Sequence, residues 1–287
     1  MSNILQRLLL FFLGIPAIVA VVVLLPQAHH GAAVVMILVF TGGAGVELSQ
    51  IFRDRGVRTR ASVMALLGFL PALIAYLGSL FADMAGFGAL GILAIGIALL
   101  ALAVFVPFAF VQTENIPEVI SRTAAHGFAL IYPGLLGAFV VLLASEPRWA
   151  MESLLCFAGL TLGNDSLAWF FGVTLGRKRG IVAVSPNKSA AGFLGGMGGS
   201  VGLAFAARAI FPYAMSASWI ATVCLGLTVG AAVIVGDLFE SALKRSAGTK
   251  DSGSAVPGRG GFLDSFDSIL FAAPVFYAAS LILGLFR

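Results

Sequence analysis

Long apolar runs separated by short polar loops organise the chain. About nine of them reach the roughly 20 residues that a helix needs to cross a bilayer. They lie near residues 8–26, 32–52, 61–81, 86–111, 125–145, 151–175, 193–212, 217–240 and 267–286. The pattern predicts an all-α, polytopic integral membrane protein with about nine transmembrane helices. Pro107 is expected to kink or end the long 86–111 run. The first run has no small-residue cleavage site before Pro26, so it reads as a span and not as a removed signal peptide. No soluble domain, low-complexity segment or internal repeat breaks the series. Residues 1–287 therefore read as one membrane domain, with N-terminal helices over 1–145 and the polar-rich helices and loops over 151–287.

Composition agrees with this pattern and narrows it. Hydrophobic residues make up 60% of the 287, charged residues only 10%, and the mean hydropathy is +1.04; soluble chains carry about 25% charged residues. Cys156 and Cys224 both lie in apolar runs and point to neither a disulfide framework nor a zinc site. His29, His30 and His126 are too scattered for a metal cluster. The pI near 9.4 is explained by where the cations fall, without nucleic acid as a partner. With the N-terminus in the cytoplasm, the inner loops hold Arg7, Arg53, Arg55, Arg58, Arg60, Arg122, Arg177, Lys178, Arg179, Lys188, Lys244, Arg245, Lys250 and Arg259. Only Arg148, Arg208 and Arg287 remain outside. That bias makes nine spans with an outer C-terminus self-consistent. Arg53–Arg60 serves as a topology signal on this reading, with binding of anionic headgroups as the alternative.

Three polar features are not accounted for by membrane insertion. Glu47 falls inside the second run, where a carboxylate is costly, so it is expected to face the protein interior. Whether it lines a cavity or pairs with a neighbouring helix is left open by the sequence. Asn164, Asp165 and Ser166 fall in the middle of the sixth run, and an ionisable group there marks Asp165 as a functional candidate. Ala168, Gly172 and Gly176 follow at i+4 spacing, a small-residue face suited to close helix contact. The third feature is the segment 236–267. Asp237, Glu240, Ser241 and Lys244 share one helical stripe. The glycines 253, 258, 260 and 261 with Pro257 then require a sharp turn or a close backbone approach. Asp264 and Asp267 open the last helix, where carboxylates suit the N-terminus; with Asp237 they also offer hard oxygen ligands for a divalent cation.

The last segment resembles the signature of the CDP-diacylglycerol synthases, the phosphatidate cytidylyltransferases. The matching positions are Ser241, Lys244 and Arg245, then Lys250, Asp251, Ser252 and Gly253, then Pro257, Gly258, Gly260 and Gly261, and finally Asp264 and Asp267. The resemblance extends upstream to Asp165-Ser166, Trp169-Phe170-Phe171-Gly172, Ser185-Pro186-Asn187-Lys188, and Gly192 with Gly195-Gly196. The chain departs from the family pattern at Arg259 (usually His), Ser265 (Arg), Ala191 (Glu) and Ser189 (Thr). The specific likeness covers about the C-terminal 125 residues; the N-terminal half is alike only in hydrophobicity.

The resemblance implies transfer of CMP from CTP to phosphatidate, giving CDP-diacylglycerol and pyrophosphate at the cytoplasmic face of a bacterial inner membrane. On that basis Asp237, Asp264 and Asp267 are expected to hold one or two Mg2+ ions, with Lys244 completing the catalytic group. Lys188, Arg245, Lys250 and Arg259 are expected on the phosphates of nucleotide and lipid, and Asp165, Ser185, Asn187 and Ser241 on other substrate atoms. Family analogy permits a homodimer. No Ser/His/Asp or Cys/His set supports covalent catalysis, and the lipid phosphate is itself the nucleophile. The alternatives are a CTP-dependent polyprenol or lipid kinase, a transporter using Glu47 and Asp165, and an inactive family member.

Overall fold

The structure, a computed structural model, describes residues 10–85, 88–177, 179–216 and 218–286. Arg7, Lys178 and Arg287, three of the cations used for orientation, lie outside the described residues. The described chain is helical, without a strand. A π-turn at Leu10–Gly14 leads into α1 (Ile15–Leu24), followed by α2 (Gln27–Asp54), α3 (Ala61–Ala85) and α4 (Gly88–Ala109). A 3-10 turn at Thr113–Glu118 then precedes α5 (Val119–Ala129), which a π-turn at Leu130–Leu135 joins to α6 (Leu136–Ala144). The remaining helices are α7 (Ala150–Thr174), α8 (Ala190–Ile210), α9 (Trp219–Ser246) and α10 (Phe262–Leu283).

Eight segments among the described residues are long and apolar enough to cross a membrane, and Phe12–Leu24 is a shorter apolar helix ahead of them. The expected nine runs are therefore present, with shifted ends. The fifth is longer than expected, because the polar stretch from Thr113 is already helical and runs on to Ala144. Pro107 lies inside α4, which stops two residues later at Ala109. α9 continues past the apolar run to Ser246, and α10 starts five residues before its apolar run.

Backbone polarity inside these helices is satisfied internally, as a bilayer requires. Hydroxyls follow the same rule: Ser166 donates to Leu162 O at 2.7 Å, Thr174 to Phe170 O at 2.7 Å and Ser280 to Phe276 O at 2.7 Å. Leu99, Leu102, Phe105 and Val106 on α4 are exposed, the expected surface of a lipid-facing helix.

The chain divides into two compact units. The first comprises Met1–Ser145 and Ala247–Phe266, the second Glu146–Ser246 and Asp267–Arg287. The signature loop that precedes α10 thus folds with the N-terminal helices.

In the first unit α2 and α3 pack through glycines. A Cβ on Gly45 would collide with the Met64 carbonyl, and one on Gly68 with that of Thr41. Arg58, in the α2–α3 loop, lies 3.3 Å from Glu118, which joins the loops before α3 and α5 on one face. At the opposite ends of these helices, His30 Nδ1 lies 3.1 Å from Ala144 O.

In the second unit the small-residue face foreseen on α7 meets a matching one on α8. A Cβ on Gly192 would lie 2.9 Å from the Ala168 carbonyl oxygen and 3.5 Å from Gly172 Cα, and one on Gly195 2.5 Å from Phe171. Such close backbones gain dispersion contact where no hydrophobic force acts between helices. Within this interface Asn164 Nδ2 donates to Ser200 Oγ at 2.8 Å and approaches Gly230 O of α9 at 3.5 Å. Asn164 is therefore a structural polar node joining three helices. Asn164→Ala is expected to cost about 1–2 kcal/mol, read as earlier thermal unfolding in detergent with substrate affinities retained. The Phe286 N–H donates to Ala214 O at 2.8 Å, placing the C-terminus beside the α8–α9 loop.

Candidate functional site

In the second unit, α9 carries its acidic and basic residues where the apolar run ends and the helix emerges. The helical repeat places Asp237, Glu240 and Lys244 along one stripe, and Lys244 Nζ lies 2.6 Å from Glu240 Oε2. Glu240 is almost wholly buried (1% exposed), so this pair is desolvated and is not a loose surface contact. Lys188 pairs with Asp237. It reaches there because the 175–189 loop folds back on itself. Gly180 takes a left-handed φ of +72° and its N–H donates to Pro186 O at 2.8 Å, while the Lys188 N–H donates to Ser185 O at 3.1 Å. Ser189 then caps α8, its hydroxyl accepting from the Gly192 N–H at 3.2 Å, which fixes the residue after Lys188.

Burial holds the Lys188 pKa below the ordinary lysine range, and the Lys244 charge adds to that fall. Asp165, Asp267 and Glu240 pull it the other way. Four carboxylates (Asp165, Asp237, Glu240, Asp267) thus act on or pair with two ammonium groups, Lys188 and Lys244. α10 approaches α9 at this point: a Cβ on Gly236 would lie 2.7 Å from Asp267 O and 3.1 Å from Ser268 Cα. Asp267 Oδ1 also accepts the Ser268 N–H at 2.6 Å.

Among the described residues no three of His, Cys, Asp and Glu form a ready metal-binding group. Mg2+ does not require one, since it is commonly held by one or two carboxylates with water and substrate phosphates completing the shell. Asp237 on α9 and Asp267 on α10, at the point where the two helices meet, are hard oxygen donors of the kind such an ion takes.

The first unit holds the signature loop. Its turn is closed by Val256 and Gly260, with Val256 N–H donating to Gly260 O at 2.7 Å and Gly260 N–H to Val256 O at 3.0 Å. Gly260 has φ +108°, a backbone state that only glycine adopts readily. Asp264, expected as a metal ligand, also fastens the loop: its Oδ2 accepts from Ser252 N at 2.8 Å, Ser252 Oγ at 2.9 Å and Gly261 N at 2.8 Å. Glu47 does face the interior. Of the two alternatives it takes the pairing with a neighbouring helix, through the backbone at the start of α10: it accepts from Phe262 N at 2.7 Å and Leu263 N at 2.9 Å, and from Ser252 Oγ at 2.9 Å. Lys250 and Arg259 of the same loop are exposed.

The expected residues accordingly sort into two groups. Asp165, Ser185, Asn187, Lys188, Asp237, Ser241, Lys244, Arg245 and Asp267 belong to the second unit, and Lys250, Arg259 and Asp264 to the first. In the second group Asn187 and Arg245 are exposed and Ser185 and Ser241 half-buried. Sequence reasoning passed over Glu240, Ser189 and Ser252 as site residues. Glu240 was legible as a member of the Asp237–Lys244 stripe, Ser189 as the position where the family usually has Thr, and Ser252 as a member of the signature, without its partners.

A model of the cytidylyltransferase family matches residues 5–283. A phosphatidate cytidylyltransferase of Thermotoga maritima is 37% identical over 175 residues, which are 60% of this chain and 64% of that protein. One of Bacillus subtilis is 29% identical over 262 residues, 91% of this chain and 93% of that protein. One of Synechocystis is 42% identical over 134 residues, 46% of this chain and 43% of that protein. The matched stretch therefore spans less than two thirds of the Thermotoga and Synechocystis proteins and nearly all of the Bacillus one. The family match runs to the last residue of α10 and takes in the residues around Lys188 as well as the signature loop, and on that ground the chain belongs to the cytidylyltransferase family.

Proposed function

We propose that the protein is a phosphatidate cytidylyltransferase of a bacterial inner membrane, with its N-terminus and polar loops in the cytoplasm and its C-terminus outside. The observation that carries this reading is the arrangement around Lys188, in which two buried or half-buried ammonium groups and four carboxylates gather in a segment that matches the family. Such a set suits the meeting of two polyanions, where charge neutralisation and positioning supply most of the catalysis.

In the reaction, a phosphate oxygen of phosphatidate attacks the α-phosphorus of CTP. The new P–O bond forms as the α–β phosphoanhydride breaks, and pyrophosphate leaves with the bonding electron pair. Asp237 and Asp267 are the residues proposed to hold Mg2+. When bound, the ion neutralises and orients phosphate oxygens. Lys188, held by Asp237, and Lys244, held by Glu240, place positive charge beside those oxygens. Arg245 extends an exposed cationic group for the outer phosphates, and Ser185, Asn187 and Ser241 orient oxygens by hydrogen bonds. The side chain of Asp165 belongs to the same charged group. No residue has to act as a covalent nucleophile.

The test is incubation of the purified protein in liposomes with phosphatidate, Mg2+ and α-labelled CTP. Label is expected in the lipid fraction with an equal amount of pyrophosphate released. Transfer from γ-labelled CTP to a polyprenol, with no α-label in lipid, would replace this reading with a lipid kinase.

A further inference from the structure

We propose that Glu47 is a positioning residue that sets the signature loop and the start of α10 from within the N-terminal half. A helix begins with N–H groups that have no intrahelical acceptor. At the start of α10 the Phe262 and Leu263 N–H groups are met by a carboxylate from α2, a helix more than two hundred residues earlier in the chain: Oε1 accepts the first at 2.7 Å and Oε2 the second at 2.9 Å. The negative charge also opposes the positive end of the helix dipole.

The same carboxylate fixes the path of the loop leading to α10. A Cβ on Gly253 would lie 2.5 Å from Glu47 Oε1, and one on Gly261 would overlap both Glu47 and Ser252. The Ser252 hydroxyl stands 2.9 Å from Glu47 Oε2 and 2.9 Å from Asp264 Oδ2. One hydroxyl proton cannot serve both carboxylates at once, so each relies chiefly on backbone N–H donors, Glu47 on those of residues 262 and 263 and Asp264 on those of residues 252 and 261. Phe40, two helical turns before Glu47 on α2, adds an apolar support: its ring stacks on Phe266 at 4.5 Å and meets Phe262 edge-on at 5.2 Å.

Glutamine at this position keeps one acceptor oxygen and turns an NH2 group towards backbone donors. The catalytic part of the inference rests on the function proposed above; the structural part does not. The experiment is hydrogen–deuterium exchange of the full-length protein in detergent, alongside steady-state kinetics. In Glu47→Gln, amides in peptides spanning 250–265 are expected to exchange roughly tenfold faster or more, with α3 peptides unchanged. The kcat for lipid labelling is expected to fall by on the order of 30-fold, with a smaller change in KM for CTP and partial recovery in Glu47→Asp. Unchanged exchange over 250–265, or acceleration spread equally through α3, would overturn the proposal. If Glu47→Gln does not accumulate, Glu47→Asp, one methylene too short to reach both N–H groups at these distances, serves in its place: faster exchange confined to 250–265 supports the proposal, and wild-type exchange there overturns it. A wild-type protein that makes no labelled lipid counts against the enzymatic reading alone, because the exchange result stands separately.

Discussion

Asp267→Asn is expected to reduce transfer of α-labelled CMP to lipid by on the order of 10³-fold, with little change in thermal stability. Asp267 is a cleaner probe than Asp237. Removing the Asp237 charge also breaks the ion pair that holds Lys188, and a half-buried ammonium that loses its paired carboxylate destabilises the fold by itself. Asp267 acts on Lys188 more remotely, through its field. The substitution removes one of the carboxylates acting on Lys188, so the Mg2+ concentration needed for half-maximal rate should rise as the maximal rate falls. Assays across a range of Mg2+ at saturating CTP check this. A rate restored to wild type by CTP alone, with no change in Mg2+ requirement, would move Asp267 from metal binding to nucleotide positioning.

Gly236→Val is expected to lower activity by about 100-fold without touching any charged group. It should also cost roughly 1–3 kcal/mol of stability through overpacking. The reason is the approach of α9 to α10 one residue before Asp237. The first added carbon would already lie 2.7 Å from Asp267 O and 2.9 Å from Phe271 Cβ, and the branches of valine have nowhere else to go. The two backbones must separate, carrying Asp237 and Asp267 apart. Gly198→Ala is the control: nothing lies within 4 Å of a Cβ at that glycine, so near wild-type activity and stability are expected. Thermal unfolding and lipid labelling of both variants, measured together, separate loss of fold from loss of alignment.

Hydropathy made the spans legible, because a bilayer demands long apolar helices and tolerates little else. It did not reveal where helices continue beyond the bilayer. The extension of α9 to Ser246 was readable only in the helical spacing of Asp237, Glu240 and Lys244, and the helical start at Thr113 was hidden by the polar TENIPE stretch with its Pro117. Within the site, residue types were legible and their partners were not. Lys188 and Asp237 are 49 positions apart, and no local pattern pairs a loop lysine with one aspartate and not another. Asp264 was legible as a carboxylate at the start of the last helix, sharing a face with Asp267; the three donors gathered on its Oδ2 depend on a loop conformation set by glycines. Glu47 was recognised as unusual from its cost in an apolar run, yet its partners are two backbone N–H groups and a serine hydroxyl, which have no distinctive sequence signal.

The separation between Glu47 and the start of α10 also bears on how the protein is made. At about 5–20 residues per second, α2 enters the membrane some ten seconds or more before Phe262 and Leu263 are synthesised. During that interval the carboxylate is held within an apolar segment without its native donors, at a cost of up to about 2.5–3.5 kcal/mol by insertion scales. Arrival of the last helix removes that cost. A chain truncated before Phe262 would keep a carboxylate in α2 without the two backbone N–H donors that meet it in the finished protein.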